Sequence, residues 1–176
     1  MLTLITGGAR SGKSSFAQSL CESSSRVIYV ATAPHIDPEM CERISLHRKQ
    51  RPASWVTIEE RIAVPAVIAE HAPKTEVVLV DCLTLWLSNL LYEWRDDDTA
   101  TLQRKAREQT AEFTDACNSG KVIAVTNEVG SGIVPESALA RRFRDVHGFM
   151  NQQMARAAAE VYLLVSGIPL RIKAVT

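Results

Sequence analysis

The sequence predicts an α/β fold in which a mostly parallel sheet is flanked by helices and carries one antiparallel edge strand. Apolar runs rich in β-branched residues occur at 2–6, 27–31, 77–80, 122–125 and 161–165. Continuous apolar strands that alternate with helical stretches indicate a parallel sheet covered on both faces. Residues 170–173 alternate between apolar and basic side chains instead. Because only the short connection 167–169 precedes them, we expect an antiparallel edge hairpin with the strand before.

The first apolar run leads directly into a glycine-rich loop. Its residues are Gly7, Gly8, Ala9, Arg10, Ser11, Gly12, Lys13 and Ser14. The spacing Gly-x4-Gly-Lys-Ser is that of the phosphate-binding P-loop, in which Lys13 reaches the β- and γ-phosphates and Ser14 ligates Mg²⁺. A glycine-rich turn that matches by chance is the alternative, and the strand before and the helix after argue against it.

A short helix is predicted after the second apolar run, with Asp37 as its N-cap, Pro38 at its first position and Pro52 beyond its end. His47 shares an apolar face of this helix and has four cationic neighbours. They are Arg43, Arg48, Lys49 and Arg51. Nearby cations disfavour protonated imidazole and attract phosphates, so His47 is a candidate nucleophile toward phosphorus. The alternative is a capping or surface histidine.

The third apolar run ends on Asp81, the position of a Walker B carboxylate. The carboxyl ends of parallel strands share one edge with the P-loop, so Asp81 is predicted to contact Mg²⁺ or the nucleotide. An N-cap for the helix that starts near Leu83 is the alternative interpretation. Apolar residues at helical spacing then predict two core-facing helices. These residues are Leu83, Leu87, Leu90 and Trp94 in the first helix and Leu102, Ala106, Phe113 and Cys117 in the second.

The fourth run is followed by the polar and glycine-containing segment 126–135. This segment is interpreted as substrate-contacting or as a sensor of the bound nucleotide, with a plain strand-to-helix connection as the alternative. No Asn-Lys-x-Asp guanine motif follows any of the runs. If guanine is bound, another device recognises it.

The bulk properties narrow the class of function. A chain of 176 residues with 46% hydrophobic content is expected to form one domain, 1–176. A formal net charge of zero argues against general binding of nucleic acids or membrane surfaces. No membrane span or signal peptide is recognisable, so a cytoplasmic location is expected. The cysteines Cys21, Cys41, Cys82 and Cys117 lie singly and are expected to be buried free thiols.

Seven segments together carry a resemblance to a known enzyme family. They are TGGARSGKS at 6–14, YVAT at 29–32, RISLHR at 43–48 with RP at 51–52, DCLT at 81–84, VTNEVG at 125–130, GIVP at 132–135 and VSG at 165–167. In this order they resemble the bifunctional adenosylcobinamide kinase/adenosylcobinamide-phosphate guanylyltransferases of cobalamin biosynthesis. The combination is specific, since many kinases share the P-loop alone.

The resemblance implies two reactions on a corrinoid substrate. ATP or GTP phosphorylates the aminopropanol hydroxyl of adenosylcobinamide, and GMP is then transferred from GTP to that phosphate with release of pyrophosphate. The second reaction proceeds through a GMP-histidine phosphoramidate, and the matching residue here is His47. The family further implies a RecA-like P-loop fold and a homo-oligomer, typically a trimer.

The resemblance also implies nucleotide contacts outside the P-loop. The matching positions are Thr32, Ala33, Pro34, Arg48, Lys49, Gln50, Arg51, Glu59 and Asp81. Two rival functions remain open at this point. One is a P-loop kinase with a single activity, in which His47 is structural, and the other is a regulatory nucleotide-binding module without turnover.

Overall fold

The computed structural model describes residues 1–34, 42, 45, 48 and 51–174. The strands are β1 (Leu2–Gly7), β2 (Val27–Ala31), β3 (Val56–Glu59), β4 (Val77–Asp81), β5 (Val122–Val125), β6 (Glu160–Val165) and β7 (Ile168–Lys173). The α-helices are α1 (Lys13–Ser19), α2 (Val64–His71), α3 (Leu83–Glu93), α4 (Thr99–Ala116) and α5 (Ala138–Ala157). Short 3₁₀ turns follow α2 at Ala72–Lys74 and α4 at Cys117–Ser119.

The strands form one sheet in the order β3-β2-β4-β5-β1-β6-β7. Every neighbouring pair is parallel except β6 and β7. The β4–β5 register places Asp81 opposite Val125, and the β1–β5 register places Ile5 opposite the same Val125. The carboxyl ends of β1, β4 and β5 therefore lie side by side, which is the arrangement that a site at this edge requires.

Alternating side chains of the central strands build two apolar cores on opposite faces of the sheet. On one face Leu4 packs in a core that contains Trp86 of α3. On the other face Ile5 shares a core with Ala17 of α1 and with Tyr29. Because each fully buried large side chain stabilises the fold by about 1.5–3 kcal/mol, both layers of helices are held firmly against the sheet.

Polar caps set the start of the two longest helices. The Asp98 carboxylate accepts a hydrogen bond from the Thr101 N–H at 2.8 Å at the beginning of α4. The Ser137 hydroxyl accepts one from the Ala140 N–H at the beginning of α5. Such caps satisfy N–H groups that have no partner within the helix.

The predicted mostly parallel α/β sheet with an antiparallel edge is confirmed. The edge hairpin turns more tightly than expected: β7 begins at Ile168, and Ser166 and Gly167, both with positive φ, form the whole turn. The apolar residues that predicted α3 and α4 face the core as expected, including buried Leu87 and Phe113. Of the helix predicted between residues 37 and 51, most positions lie outside the described residues, whereas residues 42, 45 and 48 are helical.

Three elements were not predicted. Strand β3 pairs only with β2 at an edge of the sheet, and its residues are exposed or half-buried, so it lacks an apolar run. Helix α2 has eight residues, too few for a clear helical period. Helix α5 buries Val146, Met150 and Met154 but also the polar residues His147 and Asn151, which obscures its apolar stripe.

Candidate nucleotide site

A cavity of about 520 Å³ opens at the carboxyl edge of the sheet, between the P-loop and the ends of β2, β4 and β5. Its size falls in the range of roughly 300–1,000 Å³ that is common for small-molecule sites. The residues in its wall that the sequence predicted are Ala9, Arg10, Ser11, Gly12, Lys13, Ser14, Ala33, Arg51, Glu59 and Asp81. The fold thus brings these ten residues together although they lie up to 72 positions apart in the chain, from Ala9 to Asp81.

The other predicted site residues lie beside this cavity or outside the described residues. Gly7 ends β1, and Pro34 is buried beyond β2. The Thr32 hydroxyl donates to the Cys82 carbonyl at 2.8 Å and accepts from the Cys82 N–H at 2.7 Å. The carbonyl of Gly8 accepts a hydrogen bond from Lys13. The three predicted residues outside the description are His47, Lys49 and Gln50.

The P-loop packs closely against the hairpin of β6 and β7. A Cβ atom on Gly7 would lie 2.5 Å from the Leu164 carbonyl oxygen, and one on Gly12 would lie 3.3 Å from the Gly167 Cα. Both glycines also have positive φ, 150° and 91°. The Gly167 N–H donates to the Ser11 carbonyl at 3.0 Å. The bare backbone at Gly7 and Gly12 therefore lets the loop lie on the hairpin.

Lys13 is the buried cation of the site. Only 7% of the residue is exposed, and its ammonium group donates to the Gly8 carbonyl and to Ser11 Oγ at 3.4 Å. Burial lowers the pKa of Lys13, and the nearby Asp81 carboxylate opposes that shift. A desolvated ammonium held by its own loop is well placed to interact with phosphate oxygens in the cavity.

Asp81 is linked to Arg51 through Tyr29, which the sequence reasoning missed. The Tyr29 hydroxyl donates to Asp81 Oδ2 at 2.7 Å, and the Arg51 guanidinium lies over the Tyr29 ring at 3.6 Å from its centroid. Burial raises the pKa of the Tyr29 hydroxyl, and the neighbouring Asp81 carboxylate raises it further. Tyr29 therefore stays protonated and orients the carboxylate. The sequence did contain a signal for this role, since Tyr29 is the one tyrosine in an otherwise aliphatic strand. A tyrosine hydroxyl that is buried in such a strand needs a hydrogen-bond partner.

The alternative interpretation of Asp81 as a helix N-cap is wrong. The N-cap of α3 is Cys82, and its side chain forms no cap hydrogen bond. The Asp81 carboxylate instead lines the cavity. Asp81 is half-buried at the end of β4, so its carboxylate can contact a ligand that binds at this edge of the sheet.

Arg51 brings positive charge to the wall of the cavity, and Arg48 contacts Glu59 of the same wall. Arg51 Nη1 donates to the Thr57 hydroxyl at 3.3 Å, and Arg48 Nη1 lies 3.7 Å from Glu59 Oε1. Thr57 and Glu59 both belong to β3, so this edge strand anchors the two arginines. The unpredicted strand is therefore part of what shapes the site.

The segment after β5 contributes Asn127 to the cavity wall. Thr126 and Glu128 flank it, and their N–H groups donate to the Ile5 and Gly7 carbonyls at 2.9 and 3.0 Å. The segment thus continues alongside β1 up to the P-loop. The interpretation of segment 126–135 as substrate-contacting or as a sensor of the bound nucleotide stays a prediction.

The three described cysteines are free and buried, as expected, and Cys41 lies outside the described residues. Burial raises the pKa of the Cys21 thiol to about 11 and those of Cys82 and Cys117 to about 12. The thiols are therefore protonated at neutral pH. In that form they pack as small apolar groups.

The two predicted metal ligands, Ser14 and Asp81, both line this cavity and offer hard oxygen atoms, a hydroxyl and a carboxylate. Mg²⁺ prefers such ligands and is commonly held by one or two carboxylates together with substrate phosphates. Within the described part of the chain, no cluster of three or more His, Cys, Asp or Glu residues forms a metal cage. The donor set fits a metal that arrives with a nucleotide. None of the described helices is long and apolar enough to cross a membrane.

The family description "Cobinamide kinase / cobinamide phosphate guanyltransferase" matches residues 3–172 of the chain. The chain belongs to this family. The resemblance drawn from the seven sequence segments is thereby confirmed. As a member of the cobinamide kinase/guanyltransferase family, the protein is an enzyme of cobalamin biosynthesis that combines kinase and guanylyltransferase activities.

Named relatives cover nearly the full length of this family member. The bifunctional adenosylcobalamin biosynthesis protein CobU of Escherichia coli (strain K12) is 45% identical over 98% of this chain and 100% of its own length. The corresponding protein CobP of Pseudomonas aeruginosa is 44% identical, with 98% of each chain covered. The alignment therefore includes the P-loop, the region of His47 and the edge hairpin.

A solved structure supports the fold prediction. An ATPase from the type III secretion system of pathogenic bacteria superposes with a TM-score of 0.60 at 10% identity, over 93% of this chain and 51% of its own. At that identity the likeness concerns the fold alone. The shared fold agrees with the predicted α/β architecture.

Proposed function

We propose that the protein phosphorylates adenosylcobinamide with ATP or GTP and then transfers GMP from GTP to adenosylcobinamide phosphate. The product is adenosylcobinamide-GDP, and the second reaction passes through a GMP adduct of His47. The observation that carries the proposal is that one cavity contains the P-loop with Lys13, the carboxylate of Asp81 and the guanidinium of Arg51. The bifunctional names of the relatives support the pairing of the two activities.

In the kinase reaction, Lys13 and the backbone N–H groups of the P-loop hold the triphosphate and stabilise charge that develops on the γ-phosphoryl group. The corrinoid hydroxyl oxygen attacks the γ-phosphorus, the bond from γ-phosphorus to the β-bridging oxygen breaks, and the nucleoside diphosphate leaves. Asp81, fixed by the Tyr29 hydroxyl, provides the carboxylate next to the phosphates.

In the transferase reaction, a ring nitrogen of His47 attacks the α-phosphorus of GTP and pyrophosphate leaves. An oxygen of the corrinoid phosphate then attacks the same phosphorus, the P–N bond breaks and the imidazole is released. The cradle that holds the γ-phosphate in the kinase reaction can hold the departing pyrophosphate here. Two displacements replace one difficult transfer.

Mg²⁺ bound with the nucleotide would neutralise part of the phosphate charge, with Ser14 and Asp81 as the protein residues that hold it. The residues proposed to contact GTP are Arg48, Lys49, Gln50, Arg51, Glu59 and the segment 32–34. Among the described members of this set, Ala33, Arg51 and Glu59 line the cavity, which supports their part of the proposal.

The proposed activities belong to one domain, residues 1–176, that works in the cytoplasm as a homo-oligomer, with a trimer as the expected state. The exposed apolar side chains of the edge hairpin, such as Ile168 at 71% and Leu170 at 58% exposure, support self-association. Analytical ultracentrifugation of the full chain measures the state directly. A monomer at micromolar concentration contradicts this part of the proposal.

Incubation of the pure protein with α-labelled GTP tests the function against its rivals. Covalent label that is labile in acid and stable in base supports the transferase, because a phosphoramidate has this stability. A kinase with one activity transfers only the γ-phosphoryl group to the corrinoid, and a regulatory module does neither.

The variant His47→Ala locates the nucleophile. It should lose guanylyl transfer while corrinoid phosphorylation survives in substantial part, because the P-loop, Lys13 and Asp81 remain. Label on the His47→Ala protein would contradict the assignment. So would a labelled peptide from the unmutated protein that contains His35, His71 or His147 but not His47.

A further inference from the structure

A polar network behind the P-loop joins α3, the segment after β5 and α5. The proposed reactions do not use it. Its side chains belong to Thr6, Thr84, Thr126, Asn127, Glu128, His147 and Asn151. Of these residues, Asn127 is the one found in the wall of the nucleotide cavity. The network therefore supports one residue of the cavity wall from behind.

The Thr84 hydroxyl is the direct support of Asn127. Thr84 Oγ1 accepts from the Asn127 N–H at 2.9 Å and from Asn127 Nδ2 at 3.1 Å, and it lies 3.0 Å from His147 Nε2. A hydroxyl oxygen accepts two hydrogen bonds and donates one. Because both acceptor positions face Asn127, the Thr84 proton is directed to His147 Nε2, which also lies 3.4 Å from Thr126 Oγ1.

His147 is suited to accept that proton. The residue is completely buried, and burial lowers the pKa of its imidazole to about 4, so the ring is neutral. When Nε2 accepts from Thr84, the ring proton resides on Nδ1, which has no hydrogen-bond partner among the described residues. Every acceptor and donor of the Thr84 hydroxyl is then used, which leaves the hydroxyl a single orientation.

Asn151 supports the backbone on the other side of Asn127. Its Nδ2 donates to the Asn127 carbonyl at 2.9 Å and to Glu128 Oε1 at 3.2 Å, and its Oδ1 accepts from Thr126 Oγ1 at 2.8 Å. The Glu128 carboxylate also accepts from Thr6 Oγ1 at 3.0 Å, just before the P-loop. Asn127 is thus held through its backbone, by Asn151, and through its side chain, by Thr84.

We infer that Thr84 is a positioning residue that holds the Asn127 carboxamide at the cavity wall, where Asn127 hydrogen-bonds to the phosphates of the bound nucleotide. The inference rests on the proposed function, because it takes the ligand to be a nucleoside triphosphate. Asn127 Nδ2 carries a second hydrogen beyond the one given to Thr84, and an amide N–H is a suitable donor to an anionic phosphate oxygen. Residues at the end of β5 lie between the P-loop and Asp81, where the phosphates are cradled.

Steady-state kinetics of both half-reactions test the inference with five variants of the full chain. They are Thr84→Val, Thr84→Ser, Asn127→Ala, the double variant Thr84→Val/Asn127→Ala, and Thr110→Val as the matched control. Thr110 is also a buried threonine, but its hydroxyl donates to the Ala106 carbonyl within α4, away from the cavity. Thermal melting of each variant accompanies the kinetics.

Thr84→Val and Asn127→Ala should each lower kcat about tenfold or more, the effect of one hydrogen bond to a charged group. Thr84→Ser should restore kcat, and Thr110→Val should leave it unchanged. If Thr84 acts through Asn127, the double variant should be no slower than Asn127→Ala alone. Unchanged kcat in Thr84→Val, or effects that multiply in the double variant, would overturn the inference.

One further variant and one binding measurement cover the cases in which a variant does not fold or the protein shows no turnover. If Thr84→Val fails to fold while Thr110→Val folds, Thr84→Ala repeats the test, and failure of both Thr84 variants shows a structural role and overturns the inference. If the unmutated protein catalyses neither half-reaction, the proposed function fails, and affinity for a non-hydrolysable GTP analogue decides the role of Thr84. Thr84→Val and Asn127→Ala should each weaken that affinity about tenfold. Unchanged affinity refutes the inference.

Discussion

Acidification should destabilise the folded protein through His147, because the imidazole is buried in its neutral form. Burial lowers the pKa of His147 to about 4 from an ordinary value of 6.5. Below pH 6.5 the unfolded chain takes up a proton at this residue, whereas the folded chain does so only near pH 4. The unfolded state therefore binds more protons within this window, so the free energy of unfolding rises with pH there and falls as pH is lowered.

The size of this loss of stability follows from the difference between the two pKa values of His147. Each pH unit between the two pKa values is worth about 1.4 kcal/mol, so His147 removes about 2 kcal/mol of stability between pH 7 and pH 5. The whole window down to about pH 4 corresponds to about 3 kcal/mol. This is a large part of the total stability of a typical domain, which is about 5–15 kcal/mol.

Urea unfolding of the unmutated protein and of His147→Gln, each at pH 7 and pH 5, gives the change in the free energy of unfolding with pH. The difference between the two proteins in this change is the contribution of His147. The other titrating groups cancel in this comparison, whatever offset the substitution causes at pH 7. His71→Gln, at the end of α2, serves as a control for loss of a histidine elsewhere. Parallel pH dependences of the unmutated protein and His147→Gln would refute the buried, neutral imidazole and with it the proton arrangement at Thr84.

Three further predictions concern the cavity. Lys13→Ala should weaken both half-reactions about a hundredfold, because one phosphate cradle serves both; normal guanylyl transfer would show two separate sites. Asp81→Asn should reduce turnover with little change in melting temperature, since the carboxylate is half-buried at a strand end; normal turnover with a large loss of melting temperature would contradict this. Tyr29→Phe should keep the stack with Arg51 but lower kcat about tenfold through the unanchored Asp81 carboxylate; an unchanged kcat would show that the hydroxyl is dispensable.

The local signals in the sequence were sufficient for the P-loop and for the central strands. Gly7 to Ser14 form one continuous motif, and the strand that ends at Asp81 is a run of four aliphatic residues. Both features arise from neighbours in the chain. The carboxyl-edge location of Asp81 then followed from the parallel sheet, and the structure places Asp81 in the cavity wall.

The remaining parts of the site depend on contacts between distant residues, which a single sequence does not reveal. Tyr29 meets Asp81 across 52 positions, and Thr84 meets His147 across 63. Strand β3 forms because β2 offers it an unpaired edge, not because its own residues are apolar. Helix α5 hides its period for a related reason, because His147 and Asn151 occupy buried positions as members of a polar network.

The close packing of the P-loop on the hairpin changes how substitutions in this loop should be interpreted. An added Cβ at Gly7 would collide with the Leu164 carbonyl, so Gly7→Ala would push apart two neighbouring strands before any nucleotide is present. Loss of activity in such a variant would measure damage to the sheet. At Gly8 an added Cβ would meet no atom within 4 Å. Gly8→Ala is therefore the substitution that probes how closely a phosphate approaches the backbone. Within one motif, Gly7 is required by the packing of the protein itself, whereas Gly8 leaves room for the ligand.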